Sequence, residues 1–202
     1  MAAQVVERKP RAEYTTLRLL GISGSARRGS FNTALLKAAA ELVPSGVVLE
    51  VFDISVLPLF NQDLEAILPE PVVRFKEAVR GADGILFATP EHNYSVTALL
   101  KNAIEWGSRP EIDNSWDGKP AAIMSASTSL RGGARSQMAL RQILVDVNVY
   151  AMNQPQLMVA KAEEKFDDNS RLTDEKLRGR LRDLVLALVE WTGKMQPEEY
   201  GT

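Results

Sequence analysis

Cysteine is absent from the 202-residue chain, and histidine occurs once, at His92. The first absence excludes disulfides, zinc–thiolate centres, iron–sulfur clusters and a cysteine nucleophile. The second makes a Ser–His–Asp hydrolase or an all-protein metal site a poor fit, so no metal ligands are assigned. An enzyme with so few reactive side chains must draw its hard chemistry from something it binds. A dominant charge is missing too: 24 Lys+Arg against 26 Asp+Glu leaves −2, without the positive excess of a general nucleic-acid binder. No stretch reaches the roughly 18 apolar residues a bilayer span needs. The opening MAAQVVERKPRAEY has charges and no apolar core, unlike a signal peptide. The expectation is a cytoplasmic protein without nucleic-acid or membrane partners.

What is present is the profile of one globular domain, 45% hydrophobic and 25% charged. Residues 1–15 are expected to form an arm, 16–195 the domain and 196–202 a tail. Strand-like and helix-like segments alternate along it. Leu17–Ile22, Val47–Phe52, Gly84–Thr89 and Pro120–Ala126 read as strands, the third a continuous apolar run of the kind buried on both faces of a parallel sheet. A fifth strand lies between Val149 and Ala160, where Pro155 suits an edge or a bulge. Between them, Leu35, Leu36, Ala39 and Leu42 share a helical stripe, as do Val72, Phe75, Val79 and Ala82 after Pro71. Ser95 is expected to cap a helix running to Trp106, a further helix covers about 133–147, and Thr173 is expected to cap the last one. Five strands separated by helices predict an α/β three-layer sandwich, its five-stranded parallel sheet in the order 2-1-3-4-5 with helices on both faces.

In such a sheet ligands bind beyond the carboxyl ends of the strands, where the strand order reverses. Three loops meet there. The first, Ser23–Asn32, leads into a helix N-terminus and carries the hydroxyls of Ser25 and Ser30, the Asn32 amide and the Arg27 guanidinium, a donor set suited to phosphate. Its spacing is neither that of a nucleoside-triphosphate loop nor of a Rossmann dinucleotide turn. The second, Thr89–Ser95, offers amides, the Asn93 side chain and the rings of His92 and Tyr94 to a flat heterocycle. The third, Ser125–Arg135, contains a Gly132–Gly133 pair that permits unusual dihedrals or a close approach to a ligand.

GSARRGSFN at 24–32, TPEHNYSVTALLKNAIEWGSRP at 89–110 and SASTSLRGGARSQMALRQIL at 125–144 resemble the NAD(P)H-dependent FMN reductase family, in particular its bacterial quinone and chromate reductases. The resemblance implies a flavodoxin-like fold, non-covalent FMN, NAD(P)H as electron donor, and a homodimer or homotetramer. It implies that Ser25, Arg27, Gly29, Ser30 and Asn32 hold the FMN phosphate, with Phe31 beside it. Pro90, Glu91, His92 and Asn93 would border the isoalloxazine ring, Tyr94 would lie close by, and Ser125, Ala126 and Ser127 would line its other side. His92 stands where many members have tyrosine. No dedicated catalytic side chain is named.

The implied activity is transfer of electrons from NAD(P)H through bound FMN to a small-molecule acceptor, a quinone and also chromate. Two other functions fit the same features: a flavin reductase that releases reduced FMN to a partner, and an electron carrier that never meets a nicotinamide. The near-neutral charge disfavours the carrier, which docks to partners through a strongly acidic surface. Trp106 and Trp116 flank a long loop and are expected to contribute to an oligomer surface.

Overall fold

A computed structural model of the chain describes residues 16–195, so the expected arm and tail lie outside the described residues. The elements, in chain order, are β1 (Leu17–Ser23), α1 (Phe31–Ala40), β2 (Val47–Phe52), α2 (Glu70–Gly81), β3 (Gly84–Ala88), α3 (Ala98–Ser108), β4 (Pro120–Ala126), α4 (Ala134–Asp146), β5 (Tyr150–Ala151), β6 (Leu157–Val159) and α5 (Glu175–Met195). The strands are parallel and ordered β2-β1-β3-β4-β5, with β6 also paired to β4. The expected order is therefore present, with its fifth position divided. Pro155 lies in the gap between the two short strands, where it removes no ladder hydrogen bond.

Alternation along the central strands builds two cores. Leu19, Leu86, Ala88, Ala122 and Met124 face α1 and α5, where they meet Leu35, Leu36, Leu181, Leu184 and Leu188. Leu20, Ile22, Ile85, Phe87, Ala121 and Ile123 face the other way, onto Val72, Phe75, Leu100, Ile104 and Leu140 of α2, α3 and α4. Register then fixes the functional end of the sheet. Ser23 pairs with Ala88, and Ala88 with Met124, so β1, β3 and β4 release their chains side by side.

Three expectations are corrected. Trp106 and Trp116 are fully buried and belong to the second core, so they offer nothing to an oligomer surface. Their indole N–H groups donate to the carbonyls of Pro58, at 2.7 Å, and Ile104, at 3.0 Å. The cap of α3 is Thr97, whose hydroxyl accepts from the Leu100 amide, and not Ser95. The cap of α5 is Asp174, whose carboxylate accepts from the Leu177 amide, while the Thr173 hydroxyl donates to Lys165 instead.

One buried charge braces the far end of the sheet. Lys76 of α2 is 1% exposed, and its ammonium donates to the carbonyls of Gly107, in the last turn of α3, and of Arg109 and Asp113 in the loop that follows. Burial lowers its pKa below the ordinary lysine value, against the opposing pull of the Asp113 carboxylate.

Candidate functional site

The first loop turns sharply after β1 and delivers the chain into α1. Ser30 is the N-cap: its backbone is extended, and its hydroxyl accepts from the Thr33 amide at 3.3 Å. Its carbonyl takes the Ala34 amide. The amides of Phe31 and Asn32 are left without an acceptor among the described residues, as the first turn of a helix requires. The Ser30 hydroxyl proton is still free to be donated outward. Arg27 folds back over the loop, donating to the Gly29 carbonyl at 2.7 Å and lying 5.6 Å from the centre of the Phe31 ring.

The Asn32 side chain is used otherwise. Its amide nitrogen donates to the Ala126 carbonyl at 2.9 Å, and its oxygen accepts from the Ala126 amide at 3.0 Å. It is a buried clamp between the first loop and the end of β4, and only its main-chain N–H remains for a ligand. Gly24 is packed as tightly: a Cβ there would lie 2.9 Å from Pro90 Cδ. The Thr97 hydroxyl donates to the Gly24 carbonyl at 2.7 Å while it caps α3, fastening the second loop to the first.

Within the second loop, the His92 amide donates to the Ser95 carbonyl and the Ser95 amide to the His92 carbonyl, at 3.1 and 2.9 Å. Asn93 and Tyr94 form the two-residue turn between them, with φ of 48° and 71°. Asparagine tolerates the left-handed region; tyrosine does so rarely. Tyr94 is held from outside, with the Arg135 guanidinium 3.6 Å from its ring centre. The Arg135 backbone amide, in the first turn of α4, donates to Glu91 at 3.0 Å, and its guanidinium donates to the other carboxylate oxygen at 3.4 Å. The α4 N-cap is Gly133, which has no side chain to offer, so Glu91 supplies the missing acceptor from another loop.

In the third loop, Ser125 is fully buried and turned away from the solvent. Its hydroxyl donates to the Gly132 carbonyl at 2.6 Å and accepts from the Gln137 side-chain amide nitrogen at 2.7 Å. Ala126 is buried and Ser127 half-buried, and both line the cleft, Ser127 accepting from the Ser129 backbone amide at 3.1 Å.

These loops enclose a cleft of about 520 Å³. Of the residues singled out in the sequence, Ser25, Arg27, Ser30, Phe31, Asn32, Pro90, Glu91, His92, Ala126 and Ser127 line it, whereas Gly29, Asn93, Tyr94 and Ser125 do not. Gly24, Ala26, Thr97, Ala98, Leu99 and Thr128 also line it and were not anticipated. The signal for Thr97 was its place before Ala98–Leu99–Leu100, a cap position two residues after the one expected.

Residues 17–164 match the model of the family described as NADPH-dependent FMN reductase. The chain belongs to this family. It is 46% identical over 181 residues to an NAD(P)H-dependent FMN reductase of Pseudomonas aeruginosa, covering 89% of this chain and 97% of that one. It is 43% identical over 187 residues to an NADPH:quinone oxidoreductase of Arabidopsis thaliana, covering 89% and 94%. Among solved structures, FerB, a flavoenzyme NAD(P)H:(acceptor) oxidoreductase of Paracoccus denitrificans, superposes with a TM-score of 0.82 at 35% identity, over 89% of this chain and 98% of that one. The flavodoxin-like fold is thereby shown. The described residues of this family member include no helix long and apolar enough to cross a membrane.

Proposed function

We propose that the chain is an NAD(P)H:acceptor oxidoreductase that holds FMN in the cleft and passes electrons to quinones. One observation carries the reading: two unpaired helix amides, a capping hydroxyl and an arginine converge at one end of a cleft whose other end is walled by the second and third loops. That end fits a dianionic phosphate, because the Phe31 and Asn32 amides and the helix dipole favour negative charge and Arg27 adds a charge-assisted donor. At 520 Å³ the cleft is in the range of pockets that bury a ligand of this size. The flavin, when bound, supplies the acceptance and donation of electrons that no side chain here can perform. The protein's own part is orientation and exclusion of water: Pro90, Glu91 and His92 line the cleft from the second loop, and Ala126, Ser127 and Thr128 from the third. Relatives described as a quinone reductase of Pseudomonas putida and an NAD(P)H:quinone oxidoreductase of Solanum tuberosum support quinones as acceptors. Chromate belongs to the proposal as a secondary acceptor.

The reading separates FMN from riboflavin, which shares the ring and lacks the phosphate. Fluorescence titration of the apoprotein is expected to show FMN bound at least about a hundredfold more tightly, from the loss of several charge-assisted bonds. Equal affinity overturns the phosphate assignment.

A homodimer or homotetramer is part of the proposal. Met138 and Val145, seven residues apart on one face of α4, are 66% and 79% exposed, an apolar stripe that a second copy would cover. Light scattering giving a single chain's mass at micromolar concentration removes this part alone.

A further inference from the structure

The Arg135 side chain enters none of the cleft's lining and yet reaches two residues of the second loop. We infer that Arg135 is a positioning residue that sets how readily bound FMN accepts electrons, by neutralising Glu91 in the cleft wall and by pinning the Tyr94 turn. The inference rests on the proposed function, since it concerns FMN in this cleft.

Two independent features carry it. The first is electrostatic. Glu91 lines the cleft, and its side chain is only 15% exposed, so solvent screens its charge poorly. Arg135 lies 3.4 Å from it, and the α4 amide adds a second contact. Without the guanidinium, the amide still holds the carboxylate in place, and its negative charge then acts on whatever lies in the cleft. A ring that gains electrons next to an uncompensated carboxylate does so less readily.

The second feature is conformational. Tyr94 holds a positive φ that a side chain of its size adopts only when its surroundings enforce it. The reciprocal His92–Ser95 bonds close this turn, the Arg135 guanidinium on the Tyr94 ring holds it from outside, and the same loop carries His92 and Pro90 to the cleft. A single arginine thus governs both the charge and the shape of one wall.

The experiment compares wild type, Arg135→Ala and the double variant Glu91→Gln/Arg135→Ala. Each is loaded with FMN and equilibrated with a reference redox dye, and FMN affinity is measured separately on the apoprotein. Arg135→Ala is expected to lower the reduced-to-oxidised flavin ratio at a fixed dye ratio by about tenfold and to weaken FMN binding by a similar factor. The double variant is expected to recover the flavin ratio, because glutamine keeps the acceptor for the α4 amide and carries no charge, while the loss of affinity from the freed Tyr94 turn persists. Arg135→Gln, which keeps the first part of the side chain and loses the guanidinium, is run alongside, so that an alanine variant that misfolds leaves the comparison standing. An unchanged flavin ratio in both arginine variants, or a double variant no different from Arg135→Ala, overturns the inference. A wild-type protein that takes up no FMN overturns the proposed function itself, and this inference with it.

Discussion

Both ends of the Asn32 side-chain amide are spent on the backbone of Ala126, 94 residues further along the chain. That pair of bonds joins the helix that presents the two free amides to the strand whose end also lines the cleft. It places the two halves of the proposed FMN site at a fixed separation without touching the ligand. Asn32→Ala is expected to cost about 1–3 kcal/mol of stability, since a buried donor and acceptor on Ala126 lose their partners. Urea unfolding monitored at the tryptophans measures this, and FMN affinity should fall in the same variant. A loss of affinity with no loss of stability would instead make the side chain a direct ligand contact.

Arg27 is exposed and tethered only to its own loop. Arg27→Ala should therefore leave stability within about 0.5 kcal/mol of wild type, as for other surface substitutions. FMN affinity should drop by about tenfold or more through the lost charge-assisted bond. Titration at two salt concentrations checks the electrostatic origin: wild-type affinity should be the more salt-sensitive of the two.

Gly133 has φ of 85°, and a Cβ there would stand 2.7 Å from the Cβ of Ser125. Gly133→Ala is expected to destabilise the fold by about 1–3 kcal/mol through strain and the displaced Ser125–Gln137 contact. Gly29→Ala serves as the control, because a Cβ at Gly29 meets nothing within 4 Å. Equal stabilities of the two variants by thermal unfolding would contradict the packing described for the third loop.

The buried Lys76 predicts a pH dependence. Desolvation holds its folded pKa below the ordinary 10.5, so between the lowered value and 10.5 the unfolded chain binds more protons than the folded one. Stability conferred by this group therefore rises with pH across that window, and below it the cost of burying the charge is fully present. Lys76→Met removes the titration and leaves the Arg109 and Asp113 carbonyls without a donor, at about 2 kcal/mol, while the Gly107 carbonyl keeps the Ser115 amide. Urea unfolding of both proteins at several pH values should show their difference widening towards pH 10.5; a constant difference contradicts the assignment.

Legibility followed contact distance along the chain. β2 and β4 are readable to the residue because Gly46 and Pro120 mark where their apolar-rich runs begin. Alternation and handedness leave few topologies, of which 2-1-3-4-5 is the simplest for five units. Caps were misplaced by two residues at α3 and one at α5, because Ser95 and Thr97, or Thr173 and Asp174, are chemically equivalent as caps. Only the reciprocal His92–Ser95 bonds, and the reach of Thr97 to Gly24, decide between the first two. Asn32 and Ser125 show the same limit within the site. Their polar chemistry is visible in sequence, but whether a ligand or a distant backbone group receives it is settled only by folding. Trp106 and Trp116 were misread for the opposite reason: a polar loop lies between them in sequence, and in space both are core.

The central claim is that NAD(P)H reduces FMN held in this cleft and that a quinone takes the electrons away. Its most direct test is the visible spectrum of the FMN-loaded protein, followed without oxygen during addition of NADPH and then of a simple benzoquinone. Loss of the flavin absorbance on the timescale of turnover and its full return with quinone is the predicted result. A flavin that stays bound and yellow in excess NADPH and NADH would contradict the claim.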